Sequence, residues 1–415
     1  MIKKYLALAP PYLLVLSLPF YIIRFSLFGL PTNLLEMAFF AFLLVWLLSF
    51  RLSRALYLLK LVTESSLFLP SLVFLISGVV SIFVSTDWYK SLGLFRAYFL
   101  EPVIVYLILV DLGSRLGFEK VALSLRKSLY ASGALVSLYG LYQFLTGSNV
   151  IAPLEAAQGR ITSFFNHPNF LALFLGPIIL LLLGEFKTSQ KQSKKWLLGT
   201  LLTMFSLAFI LTGSVGGYVG LAISVLTIGA LKFYARSSQK IQKFSRYIVG
   251  AVLGLGILTL AAFYVNISDF TPNNGLVWPR PNPSTYVIRL CVWEGAQRLL
   301  NEHVLLGVGL GGFYREYPEY RTCDTELFVY PHNIFLNLWS ELGLLGIMSF
   351  FWLVLVQMKI LTRNLNLEKI VLIAVLVYWL VHGLVDVPYF KNDLSILFWL
   401  IAALITFKEM ETRKN

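Results

Sequence analysis

The chain has 415 residues, of which 58% are hydrophobic and only 13% charged, and its mean hydropathy is +0.75. A soluble domain is nearer half apolar and a quarter charged, so that class is excluded. The formal net charge of +13 would suggest a nucleic-acid partner only if the cations formed one surface; they are spread over short loops between apolar stretches, and no nucleic acid is expected.

Apolar stretches near twenty residues, the length that crosses a bilayer core as a helix, recur along the whole chain. In order they fall at roughly 5–23, 31–50, 67–85, 92–111, 122–146, 168–186, 196–212, 214–234, 247–266, 332–358, 369–387 and 392–407. Lys3 and Lys4 precede the first stretch as in a secretory signal, but no small-residue cleavage site follows, so it reads as a retained span. The spans at 196–212 and 214–234 are joined tightly around Gly213. The expected fold is therefore all-α: one integral membrane domain over 1–415 with about twelve transmembrane helices. Two loops stand out within it, a large one at 267–331 containing short helices and a smaller one at 147–167.

Charge sets the orientation. With the N-terminus inside, 24 of the 34 Lys and Arg fall in inner loops and the remaining 10 outside, half of those in the long loop, where charge counts for less. The stretches KTSQKQSKK and ARSSQKIQKFSR mark the cytoplasmic face most strongly. Both termini are thus expected in the cytoplasm, with the basic loops against anionic lipid head groups. The unusual polar residues collect on the outer side, in loops held by the helical scaffold, where chemistry tends to sit.

The first outer segment contains GRITSFFNHPNF. Arg160 is a permanent cation able to fork onto phosphate oxygens, or else a snorkelling anchor at a helix end. Pro168 fits the first turn of a helix, with Asn166 or His167 in the cap region. Asn169 follows in that turn, where free N–H groups favour an anion. His167 reads as a cap, an interface residue or a catalytic group. Before it, Arg96 stands near the outer end of its span with Glu101 a turn and a half deeper. It is either a further cation for substrate or an anchor with a buried acid partner.

The second outer segment carries Arg289, Trp293, Ala296 and Leu300 at helical spacing, which predicts an amphipathic helix on or near the membrane. GVGLGGF then interrupts it. A nucleotide loop is rejected for want of a βαβ setting; the glycines read as a tight backbone turn, and His303 just before them as structural. Cys291 and Cys323 both lie in this loop and are either a disulfide or two free thiols.

The third segment is PHNIFLNLWSELGLLG. His332 and Asn333 stand at the outer end of a span, where a histidine is either a helix cap or a general base. Glu341 lies two to three turns inside, a costly position for an unpaired acid. His382 and Asp386 are four residues apart and would share one helical face, as a pair orienting the site or as a purely structural one. No spacing of the four histidines suggests a metal site.

Taken in order, GRITSFFNHPN, TGSVGGYVGL, the Arg289-to-Trp293 helix with GVGLGGF, PHNIFLNLWSELGLLG and HGLVDVPYF resemble the O-antigen ligase family, which includes the ligases and the related Wzy-type O-antigen polymerases. The resemblance spans roughly 90–400, and its most specific piece is His332-Asn333 with Gly343 eleven residues on. It implies a GT-C-like membrane fold and a metal-independent, cofactor-free, inverting glycosyltransferase. The donor would be an undecaprenyl-diphosphate-linked glycan and the acceptor a hydroxyl on a glycan, lipid or protein, at the outer face of a bacterial plasma membrane. It also implies that His332 is the base and that Arg160 and Arg289 bind substrate, with Asn333, Asn166, Asn169 and Arg96 assisting and Glu341, His382 and Asp386 in support. There is one departure: many members place an arginine after the Ser of TGS and a leucine four residues later, where this chain has Val215 and Val219. An inactive relative that binds lipid-linked glycan, or a secondary transporter, is the alternative; against the transporter, no internal repeat relates the two halves.

Overall fold

A computed structural model describes residues 9–27, 29–149, 151–237, 285–323 and 327–414. The expected span at 247–266, Arg280 and part of the 267–331 loop lie outside the described residues. Every other expected span falls on a helix. These are α1 (Ala9–Leu16), α2 (Leu34–Ser49), α3 (Ala55–Glu64), α4 (Phe68–Val84), α5 (Trp88–Leu116), α6 (Phe118–Thr146), α7 (Pro168–Thr188), α8 (Gln192–Leu211), α9 (Val215–Arg236), α10 (Thr285–Glu302), α11 (Phe313–Tyr320), α12 (Ile334–Thr362), α13 (Leu367–His382) and α14 (Asn392–Lys414). Extended structure among the described residues is one antiparallel hairpin, Arg24–Leu27 with Leu30–Asn33. The chain is an all-α, multi-pass membrane protein. Among the described residues five helices are long and apolar enough to cross a bilayer (α5, α7, α8, α9 and α12), or six if the α2–α3 pair, bent by 94°, counts as one broken span. Of the twelve expected from the sequence, the span at 247–266 lies outside the described residues, and α13 stops at His382 after 16 residues, short of the expected 387.

Packing distinguishes an inner set of helices from an outer set. α7 is apolar on all sides and 83% of its span is buried by other helices, against 22% for α8 and for α9, whose leucines and valines face outward. A helix hydrophobic all round belongs in the interior, and α7 and most of α14 form it. α9 lies along α13, α4 along α12 and α5 along α14.

α12 is not continuous. Gly343 has φ 67° and ψ −166°, and the backbone of 305–308 enters the gap. Leu344 N–H donates to the Leu305 carbonyl at 3.0 Å, and Val308 N–H donates to the Ser340 carbonyl at 2.7 Å. A β-carbon on Gly343 would strike the Leu305 carbonyl. The buried Glu341 carboxylate accepts the Gly311 N–H, which secures the glycine-rich turn to α12. The GVGLGGF segment thus serves as the tight turn expected of it, with Gly307, Gly309 and Gly311 all at positive φ.

α10 and α11 enclose a small core of their own, built from Val292, Ala296, Leu299, Val308, Phe313 and Tyr317. Cys291 on α10 and Cys323 beyond α11 form a disulfide across it, with Cα atoms 5.9 Å apart.

α7 also sets the polarity of the molecule. Its 21 residues make a rod about 30 Å long. At the C-terminal end Glu185 meets Lys194 (2.8 Å), and Arg126 meets Glu368 (2.5 Å), which with Glu119 and Glu411 also holds Lys408. At the N-terminal end stands the cluster described next.

Candidate functional site

Four segments meet at the N-terminal end of α7. The loop before α7 supplies Glu155, Arg160 and His167, and the first turn of α7 supplies Asn169. The turn between α13 and α14 supplies Asp386, and the entry to α12 supplies His332.

Arg160 is fixed through every nitrogen of its guanidinium. Nε donates to the Thr212 carbonyl at 2.8 Å, Nη1 to Glu155 Oε2 at 3.1 Å and Nη2 to Asn169 Oδ1 at 3.3 Å. Gly213, at φ 63°, turns the chain from α8 into α9 and leaves room for the arginine: a β-carbon there would sit 3.1 Å from Arg160 Nε. The tight α8–α9 junction read from the sequence is therefore also the backbone support of Arg160.

Asn169 continues the chain of contacts. Its Nδ2 donates to Asp386 Oδ2 at 2.8 Å, and Asp386 Oδ1 accepts the Val387 N–H at 2.8 Å. The carboxylate is buried, and burial alone would raise its pKa. The His332 imidazole, with His382 and the Val387 N–H, holds it instead well below the usual carboxylate range.

His332 has φ 50°, and its Nδ1 lies 3.9 Å from Asp386 Oδ1. Its ring meets Phe328 and Tyr330 edge-on, at centroid distances of 5.2 and 4.9 Å. Asn333, not His332, is the helix cap: Oδ1 accepts the N–H groups of Phe335 (2.9 Å) and Leu336 (3.1 Å). Asn333 Nδ2 donates to the Leu384 carbonyl at 3.0 Å, and Ile334 N–H donates to that of Gly383 at 2.8 Å. The start of α12 is thereby bound to the turn that carries Asp386, which sets His332 beside it.

Arg289 approaches from α10. One turn on, Trp293 Nε1 donates to the Pro331 carbonyl at 2.9 Å, which ties this helix to the residue preceding His332. Arg289 is partly buried, which pulls its pKa down from the ordinary arginine value; Asp386 opposes that shift and Arg160 adds to it. The two arginines and the aspartate thus share one local field.

His167 caps α7, its Nδ1 accepting the Asn169 N–H at 3.2 Å, with Pro168 in the first turn. Nε2 therefore carries the proton of the neutral ring, and it faces Glu155 Oε1 at 3.5 Å. Burial lowers its pKa to about 4, with Asp386 opposing and Arg160, His332 and Lys391 adding to the depression. Asn166 is exposed next to it.

Other expected residues sit elsewhere or do different work. Arg96, on a π-helical turn of α5, pairs with Glu36 at 2.9 Å and Glu101 at 3.4 Å, both acids buried. Glu341 holds the glycine-rich turn. His382 and Asp386 do not share a helical face, because α13 ends at His382 and Gly383 begins a turn. His382 is buried, with Nδ1 3.1 Å from Tyr378 Oη and Nε2 3.5 Å from Ser214 Oγ. The Tyr378 proton goes to the Ala172 carbonyl (2.7 Å), so Tyr378 accepts from His382 Nδ1 and Ser214 donates to Nε2. Val215, at the position where many O-antigen ligases carry arginine, is 70% exposed at the start of α9. Glu155 was not singled out from the sequence; its only signal is an acid five residues before Arg160 in an otherwise small and apolar loop.

The family model described as "O-Antigen ligase" (Wzy_C) matches residues 199–351. The resemblance read from the motifs therefore holds over that stretch, which contains Arg289 and His332, while Arg160, Asn169 and Asp386 lie outside it. A comparison with curated proteins finds no match.

Proposed function

We propose that this protein is a membrane glycosyltransferase of the O-antigen ligase or polymerase type. It would take a glycan from an undecaprenyl-diphosphate carrier and pass it to an acceptor hydroxyl at the outer face of a bacterial plasma membrane. The family match over 199–351 supports the reaction class. One observation carries the assignment of residues: Asn169 joins Arg160 to Asp386, and Asp386 stands 3.9 Å from His332. A permanent cation is thus hydrogen-bonded through one amide to the carboxylate beside which a candidate base stands.

In this reading Asp386 keeps the proton on His332 Nδ1 and leaves Nε2 free, the role a buried carboxylate plays beside a catalytic imidazole. The acceptor oxygen attacks the anomeric carbon from the face opposite the diphosphate. The bond from that carbon to the phosphate oxygen breaks, its electrons leave with undecaprenyl diphosphate, and His332 Nε2 takes the hydroxyl proton. Inversion follows from the single displacement. Arg160 and Arg289 stabilise charge on the departing diphosphate without a metal, as fixed donors in a poorly solvated site. The isoprenoid chain lies among apolar helices, and the acceptor is a glycan, a lipid or a protein. The basic network at the far end of α7 faces the cytoplasm, with both termini.

The test is glycan transfer by purified protein from an undecaprenyl-diphosphate-linked donor, comparing wild type with His332→Ala. Turnover is expected to be lost while donor binding is largely kept. Undiminished turnover removes His332 from the mechanism.

A further inference from the structure

Lys391 is a cation of this region that the mechanism above leaves unused. It closes the turn between α13 and α14 that also carries Asp386. Its ammonium lies 3.0 Å from the ring centroid of Phe170 and 5.1 Å from that of Tyr21. Phe170 follows Asn169 in the first turn of α7, and its ring centroid is 5.7 Å from that of His167. Nζ is shielded from solvent and has no hydrogen-bond acceptor among the described residues. Burial pulls the amine below the ordinary lysine range; Asp393 and Asp386 oppose that through space, and Arg24 adds to it.

Aromatic faces attract an ammonium, but they do not replace the acceptors it loses on leaving water. A buried ammonium with three unspent donors is therefore costly as a purely structural element. A methionine would fill the same volume against Phe170 without that cost. The position becomes favourable when an anion arrives, and the adjacent site is the one to which the proposed function assigns Arg160 and Arg289. Lysine suits the task, because its flexible stem lets a point charge move from a ring face to a phosphate oxygen.

We infer that Lys391, held on the Phe170 and Tyr21 rings, is a third anion-binding group of this site that engages the diphosphate of the lipid-linked donor. The inference rests on the proposed function, since it takes the donor to be a diphosphate.

The experiment measures binding of undecaprenyl diphosphate, and of uncharged undecaprenol, to the full-length protein in nanodiscs. Lys391→Met and Lys391→Gln both remove the charge, one preserving the apolar stem and the other a hydrogen-bond donor. Either variant that melts like wild type is expected to bind undecaprenyl diphosphate about tenfold more weakly, the effect of one charge-assisted contact. Undecaprenol binding should not change, and Lys391→Arg should stay close to wild type. Unaltered diphosphate binding in a neutral variant overturns the inference, as does an equal loss for diphosphate and undecaprenol, which would mark Lys391 as packing. Failure of the wild type itself to bind undecaprenyl diphosphate would instead overturn the proposed function together with this extension of it.

Discussion

Asn169 and Asp386, 217 residues apart in the chain, are joined by a buried hydrogen bond of 2.8 Å, and the other end of the same amide receives Arg160. This one side chain connects the loop before α7 to the turn before α14. Asn169→Ala removes the Nδ2 donor to a buried carboxylate, at a cost of about 1–3 kcal/mol. Asn169→Asp sets a second carboxylate against Asp386 and is expected to be worse, in thermal stability and in turnover alike. Thermal melts of the two variants in detergent provide the check. If both melt with the wild type, the amide bridge contributes nothing.

The disulfide makes a second prediction. Cys291 lies two residues from Arg289, and the bond to Cys323 closes a loop across the α10–α11 core. Closing a loop of this size is worth roughly 4 kcal/mol. Reductant, or Cys291→Ser with Cys323→Ser, should loosen α10 and weaken donor use. Hydrogen exchange should rise in 288–302 and stay unchanged in α7. Equal exchange with and without the bond would show that packing alone holds the helix.

Gly343 permits a third. Any side chain there meets both a positive φ and the Leu305 carbonyl. Gly343→Ala should therefore cost at least the roughly 1–3 kcal/mol of a strained backbone, and it should open the α12 break. Glu341→Gln, by contrast, keeps an acceptor for the Gly311 N–H and should be much milder. A Gly343→Ala protein as stable as wild type would mean that the chain can straighten α12 without loss.

The helices were legible in the sequence because each carries its own signal, an apolar run bounded by charge or by a cap. His167-Pro168 and Asn333 are local features of that kind. Arg160, Arg289 and His332 were legible as chemistry, polar groups at the ends of apolar runs. What joins them was not. Glu155 binds Arg160 and His167 from a loop with no periodicity, and Asp386 reaches Asn169 across most of the chain. The four-residue spacing of His382 and Asp386 implied a shared face only while the helix was assumed to continue, and Gly383 ends it. Glu341 looked unpaired because its partner is a backbone N–H thirty residues earlier, a donor with no sequence identity.

Arg96 separates anchoring from substrate binding. Removing it leaves Glu36 and Glu101 buried without their shared cation, and a broken buried pair costs about 3–5 kcal/mol. Arg96→Met should lower the melting temperature sharply, while the folded fraction binds undecaprenyl diphosphate as wild type does. Normal stability with weakened binding would return Arg96 to the substrate site.

His167 gives the pH dependence. Its folded pKa, about 4, lies below the value near 6.5 of an exposed histidine. Between those values the unfolded chain binds a proton that the folded chain does not. This histidine therefore contributes no penalty above about pH 6.5, and stability falls as the pH drops from there toward 4, where the folded ring finally protonates. His167→Asn keeps a capping side chain on α7 and removes the titration. Its melting temperature should fall less steeply than that of wild type over this window, and the two proteins should respond alike between pH 7 and 8. Parallel curves from pH 7 down to 4 would show that His167 titrates as an exposed histidine does, and that burial at the start of α7 does not keep it neutral.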